Sequence, residues 1–125
     1  MTVRKVTTPK VPEPPGEIYS HCLVLGEQIF ISGQTGTGDG MDAQARSCFS
    51  KIASLLDAAG GAMSDIVKMT VYVTDMSKRP EFGKVRGEVF PGMKPCSTMV
   101  EVKGLAQPGL LVEVDVVAIK GAGRA

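Results

Sequence analysis

Ten residues, Leu110 to Ile119, constrain the fold more than any other stretch: eight are aliphatic, and two carboxylates, Glu113 and Asp115, interrupt them. Their β-branched richness predicts a central strand. With a side-chain period of two, Val112, Val114, Val116 and Ala118 make one wholly apolar face, while Leu111, Glu113, Asp115, Val117 and Ile119 make the other. An isolated buried carboxylate is expensive. The second face must therefore meet water, hydrogen-bond donors, or a cleft in which a raised carboxyl pKa is useful. Glu113 is the first candidate for a functional group, and the competing reading is the solvated outer face of an edge strand.

In chain order, Thr2 to Val6 suits a short strand, and Pro9, Pro12, Pro14 and Pro15 then impose an extended, Pro-rich arm over residues 8–16. Ile18–Val24 and Gln28–Ser32 read as a hairpin across Leu25-Gly26-Glu27. A glycine-rich loop from Gly33 to Gly40 opens into an amphipathic helix carrying Ala45, Cys48, Phe49, Ile52, Leu55, Leu56 and Ala59. Asp39 or Asp42 is available to cap its start and Gly60-Gly61 to end it. Ile66–Thr74 alternates as a strand, Asp75–Phe90 forms a second helix with Pro80 in its first turn, and Cys96–Val102 and Leu110–Ile119 close the chain as strands. The order β-β-β-α-β-α-β-β in 125 residues predicts a single α+β domain, a two-layer sandwich with a six-stranded mixed sheet covered on one face by two helices. The uncovered face is too apolar for water and too charged for a core, which predicts self-association.

Composition excludes several classes. Fourteen basic against thirteen acidic residues leave a net charge of +1 with no basic run, so nucleic acid is not an expected partner. No apolar stretch is long enough to span a membrane, and no signal-peptide core is visible. Three cysteines without close spacing suggest reduced thiols rather than disulfides or a zinc site, and the cytoplasm is the expected compartment.

Ile31-Ser32-Gly33-Gln34, Ala43-Gln44-Ala45-Arg46, Asp65 to Val73, Pro95 to Val102 and Val112-Glu113-Val114 together resemble, in the right order and nearly end to end, the Rid family of YjgF-type imine and enamine deaminases. The resemblance implies a chorismate-mutase-like fold and a homotrimer with a cleft between each pair of subunits. It places Glu113 where the family positions its hydrolytic water, Tyr19 at the cleft tyrosine, and Ser32 and Gly33 on the cleft floor. One departure stands out. The family's Pro-x-Arg-Ser/Thr-x-Val pattern carries a substrate-carboxylate arginine where this chain has Ser97, within Pro95-Cys96-Ser97-Thr98-Met99-Val100. A serine hydroxyl supplies neither the charge nor the two-pronged geometry of that clamp. Arg86 and Lys94 are the alternative cations for such a clamp. The five residues Leu105 to Gly109, one longer than the common loop, and His21 resemble divergent branches that include aminomuconate deaminases.

Hydrolysis of an imine needs an oriented water, a proton carrier and stabilisation of the adduct; it requires no metal or other cofactor. Glu113 suits the proton step, Tyr19 and Phe90 the cleft walls, and backbone N–H groups after Ser32 and around Met99 the substrate's polar end. The sole histidine, His21, reads either as a proton-transfer group or as a structural strand residue. Cys96 reads either as a nucleophile or, with no base assigned, as a small buried thiol. The glycine loop lacks the Lys-Ser/Thr ending of a phosphate loop. Asp115 is expected in an ion pair, because its alternation neighbour Glu113 carries the same charge. Two functions follow: a deaminase of a small imine, enamine or aminomuconate-like compound, or a trimeric metabolite-binding or partner-shielding protein without turnover.

Overall fold

The computed structural model describes residues 2–124. Its elements are β1 (Arg4–Val6), β2 (Cys22–Leu25), β3 (Gln28–Thr35), α1 (Met41–Ala59), β4 (Ile66–Val73), α2 (Arg79–Val89), β5 (Cys96–Glu101) and β6 (Val112–Ile119). The six strands form one mixed sheet in the order β1-β2-β3-β6-β4-β5, antiparallel throughout except for the parallel β4–β5 pair. β6 is central, so the edge-strand reading of Glu113 is overturned.

One sheet face is dry. Val112, Val114, Val116 and Ala118 of β6 are buried beside Ile29 and Ile31 of β3 and Met69, Val71 and Val73 of β4, under the apolar side of α1. Phe49 of α1 meets Phe82 of α2 at 5.8 Å and Phe90 edge-on at 5.7 Å, joining the two helices in one layer. The other face carries Phe30, Glu113, Asp115, Val117 and Ile119 and remains partly open, with Phe30, Val100 and Ile119 each more than a third exposed.

The element order matches the sequence pattern, but several local expectations change. β2 begins at Cys22 rather than Ile18, because Pro15–Glu17 form a tight turn and leave Ile18 and Tyr19 in solvent. The Pro-rich segment is not simply extended: Thr8 bridges back to Val11, which is buried, and Pro14 is buried too. Gly33 belongs to β3, which runs on to Thr35. Neither Asp39 nor Asp42 caps α1. Gly40 is its N-cap residue, without a side-chain bond, while Asp42 pairs with Arg46 at 2.7 Å and Arg46 also reaches Glu88 of α2. Gly60, at φ 88°, supplies the left-handed C-terminal turn as expected.

Buried Gln44 ties the ends of three segments together. Its amide nitrogen donates to the carbonyls of Gly38 and Gly109, and its amide oxygen accepts from Leu111 N–H at 2.8 Å. These bonds seat the start of β6, two residues ahead of Glu113. Truncation in Gln44→Ala leaves one part-buried N–H and two carbonyls without this partner, so urea unfolding should show a loss of about 1 kcal/mol or more. A loss below about 0.5 kcal/mol, the size of a neutral surface change, would mean that water substitutes for the side chain.

Candidate functional site

The feature that aims Glu113 is a bulge in β3. Ile31 pairs with Val116 and Gln34 with Val114, so β3 takes one residue more than β6 over this interval. The extra residue lies at Ser32-Gly33, and the Glu113 side chain rests directly on Gly33. A Cβ at position 33 would collide with the Glu113 carboxylate and its Cδ and Cγ, so only glycine leaves room for this pose. The carboxyl is half-buried and, among the described residues, is given no ion pair. Burial raises its pKa above the ordinary glutamate value, and the charge of Asp115 adds to the rise.

Asp115 has a different partner from the one expected. Tyr72 Oη donates to its Oδ2 at 3.0 Å, and no cation pairs with it among the described residues. The central position of β6 explains this: β4 lies alongside, and its register places Tyr72 opposite Glu113, within reach of Asp115 along the same face.

Ser32 and His21 stand on the other side of Gly33. Ser32 Oγ donates to the carbonyls of Ser20 at 2.9 Å and His21 at 3.3 Å, and Ser32 N–H donates to His21 O. The His21 ring is buried between two fixed partners: Nε2 donates to Pro12 O at 3.0 Å, and Nδ1 accepts from Gln34 Nε2 at 3.1 Å. A carbonyl can only accept and an amide NH2 only donate, so the ring is the neutral Nε2–H tautomer. With both ring nitrogens engaged, His21 pins the proline-rich segment to the sheet. Tyr19 stacks edge-on against it at 5.6 Å and is half exposed. Tyr19, His21, Ser32, Gly33 and Glu113 thus form one chain of contacts.

The remaining candidates lie elsewhere. Phe90, Ser97 and Met99 line a cleft of about 500 Å³ between α2 and β5, together with Arg79, Arg86 and Lys94. Arg86 Nη1 donates to Ser97 Oγ at 3.2 Å, and its guanidinium lies 5.4 Å from the centroid of the Phe82 ring. Lys94 Nζ donates to Phe90 O. Cys96 is exposed, not a buried thiol, because β5 is an edge strand and alternation turns position 96 to the side opposite Ser97. By contrast Cys48 is core, with burial pushing its thiol up to about 12. Arg79 was not singled out from the sequence. Its signal was present, since Arg79, Gly83, Arg86 and Gly87 recur at helical spacing along one stripe of α2.

The family profile described as Endoribonuclease L-PSP matches residues 10–120. A RutC family protein of Aquifex aeolicus is 35% identical, covering 94% of this chain and 100% of its own length. A 2-iminobutanoate/2-iminopropanoate deaminase of Dermatophagoides farinae is 28% identical, covering 93% of this chain and 95% of that protein. A crystal structure of a YjgF-family member from Mycobacterium tuberculosis superposes with a TM-score of 0.87 at 34% identity, covering 94% of this chain and 99% of the other. With this fold, this extent of match and the Ser32-Gly33/Glu113 arrangement in place, the chain belongs to the YjgF/RutC family, also called Rid.

Proposed function

We propose that the protein is a hydrolytic deaminase of a small imine or enamine, acting in a cleft between copies of the chain, with Glu113 as the proton carrier. The observation that carries this reading is the Glu113 carboxyl itself: half-buried on the central strand, held over Gly33, raised in pKa and, among the described residues, without a cation to neutralise it. A carboxyl shifted toward neutral pH is suited to take and return a proton within one cycle. Ionised Glu113 accepts a proton from water as the water oxygen bonds to the imine carbon. The protonated carboxyl then returns that proton to the amine nitrogen. Glu113 next carries the adduct's hydroxyl proton to the same nitrogen, and collapse then breaks the C–N bond, releasing ammonia and leaving the carbonyl. An enamine enters the same route once its carbon is protonated to the imine. The name of the Dermatophagoides farinae relative supports this reaction class.

Two observations favour a site shared between copies. The Glu113 group and the Phe90–Ser97–Met99 group belong to separate parts of one chain, and the open sheet face exposes Phe30 of β3, Ile119 of β6 and Val100 of the edge strand β5. A homotrimer would cover that face and bring one group to the other. RNA cleavage fits less well. The net charge is only +1, and the single histidine has both ring nitrogens engaged.

Glu113→Gln keeps the shape and removes the proton carrier, so turnover of the imine substrate should fall by about 10²-fold or more while assembly holds and the melting temperature does not fall. Retained turnover would remove Glu113 from the mechanism, and an intact ligand-binding protein with no turnover in either form would favour the binding-only reading. As a base Glu113 must be ionised, so activity should rise with pH through a limb above the ordinary carboxylate range. Asp115→Asn should move that limb to lower pH, leaving the larger displacement caused by burial. The sign for folding is opposite: the folded value is raised, so the ionised form costs stability, which falls as pH rises from the ordinary glutamate value through the raised one. Light scattering at micromolar concentration should give the mass of three chains, and a monodisperse monomer would sink the shared cleft.

A further inference from the structure

The α2–β5 cleft has features that neither folding nor the proton chemistry of Glu113 requires. Three cations, Arg79, Arg86 and Lys94, line it, and no carboxylate does. None of the three has an ion-pair partner among the described residues. Between the cations the walls are apolar, built from Met69, Phe90 and Met99.

The helix that forms one wall is unusual at the same stripe. Gly83 and Gly87 lie inside α2, where glycine is the poorest helix former after proline. Neither has a positive φ, and a Cβ at either would meet nothing within 4 Å. Gly36 and Gly60 differ: the Gln44 carbonyl crowds the first, and a left-handed turn demands the second. At positions 83 and 87 the missing side chains leave open space, and that space is the cleft. Arg79 and Arg86 are seven residues apart, about 10 Å along the helix axis, with Gly83 between them. Ser97 and the Phe82 ring hold the Arg86 guanidinium in place, so little side-chain freedom is lost when it takes a ligand.

We propose that this cleft binds a small organic dianion with an apolar middle, a dicarboxylate of about five or six carbons, with one carboxylate on Arg86 and the other on Arg79. Two cations on either side of an apolar, side-chain-free gap, Arg86 being held by Ser97 and the Phe82 ring, select for two charges. The proposal extends the deaminase reading to its substrate class, and rests on that reading only for the link between binding and turnover.

Calorimetric titration of the full-length protein tests it with three probes: adipate, butyrate and inorganic phosphate. Adipate should bind at least about tenfold more tightly than butyrate, as expected for a second charge-assisted contact. Arg86→Gln and Arg79→Gln should each abolish most of that preference, and Gly83→Leu should weaken adipate binding by filling the gap. Melting curves establish that each variant is folded; Gly83→Ala, which adds little bulk, should melt no lower than the parent. Equal binding of adipate and butyrate, or parent-like adipate binding by Arg86→Gln, would overturn the proposal. Phosphate binding as tight as adipate would also overturn it, since the apolar middle would then have no role. Glu113→Gln should bind adipate like the parent protein. Lost turnover with retained binding, or the reverse, therefore tells failure of the deaminase reading from failure of this one.

Discussion

β6 is hydrogen-bonded on both edges, to β3 and to β4, and four of its alternate side chains are sealed beneath the helices. A slip of one residue would drive Glu113 and Asp115 into the core and expose Val112, Val114, Val116 and Ala118. The register is thus held by the hydrophobic effect on one face, and the position of Glu113 on the other face is its direct consequence. Side-chain burial does not specify how Glu113 itself lies. That depends on the neighbouring strand, where one extra residue in β3 places a glycine under the carboxylate.

The polar groups around this strand divide into structural and reactive ones by whether their hydrogen-bonding capacity is filled. The Gln44 amide bonds through both its oxygen and its nitrogen, the His21 ring through both nitrogens, and Asp115 accepts from Tyr72. Groups of this kind hold segments in place, since breaking such a bond leaves a buried partner unpaired. Glu113 has burial and a like charge nearby and, among the described residues, no donor to offset them, and so its pKa is raised.

Two different environments accompany these two ends of the molecule. At the β3 bulge a single carboxyl is desolvated, and a proton can be moved there. Between α2 and β5 the charge is positive and the walls are open, which suits holding a ligand rather than transforming it. The open face of the sheet sets Phe30, Val117 and Ile119 around the carboxylates, mixing apolar and charged side chains.

Period-two alternation in β6 and β4 and period-3.6 spacing in α1 were enough to derive the succession of elements along the chain, the dry face and the placement of Glu113 opposite it, because those patterns record burial directly. The motifs around Ser32-Gly33, Pro95 and Glu113 identified the family for the same chain. Sequence did not disclose the partners. Asp115 was expected to find a cation and found Tyr72, since register across β4 decides which side chain stands beside it. Cys96 was expected to be buried and is exposed, since only the strand order makes β5 an edge. His21 stood open between proton transfer and structure until a proline carbonyl nine residues away and a glutamine thirteen residues away occupied both nitrogens. Likewise Arg86 meets Ser97 only because α2 crosses back beside β5. Local pattern determines which face a residue takes, whereas its partner on that face comes from a distant segment, and only tertiary packing brings the two together.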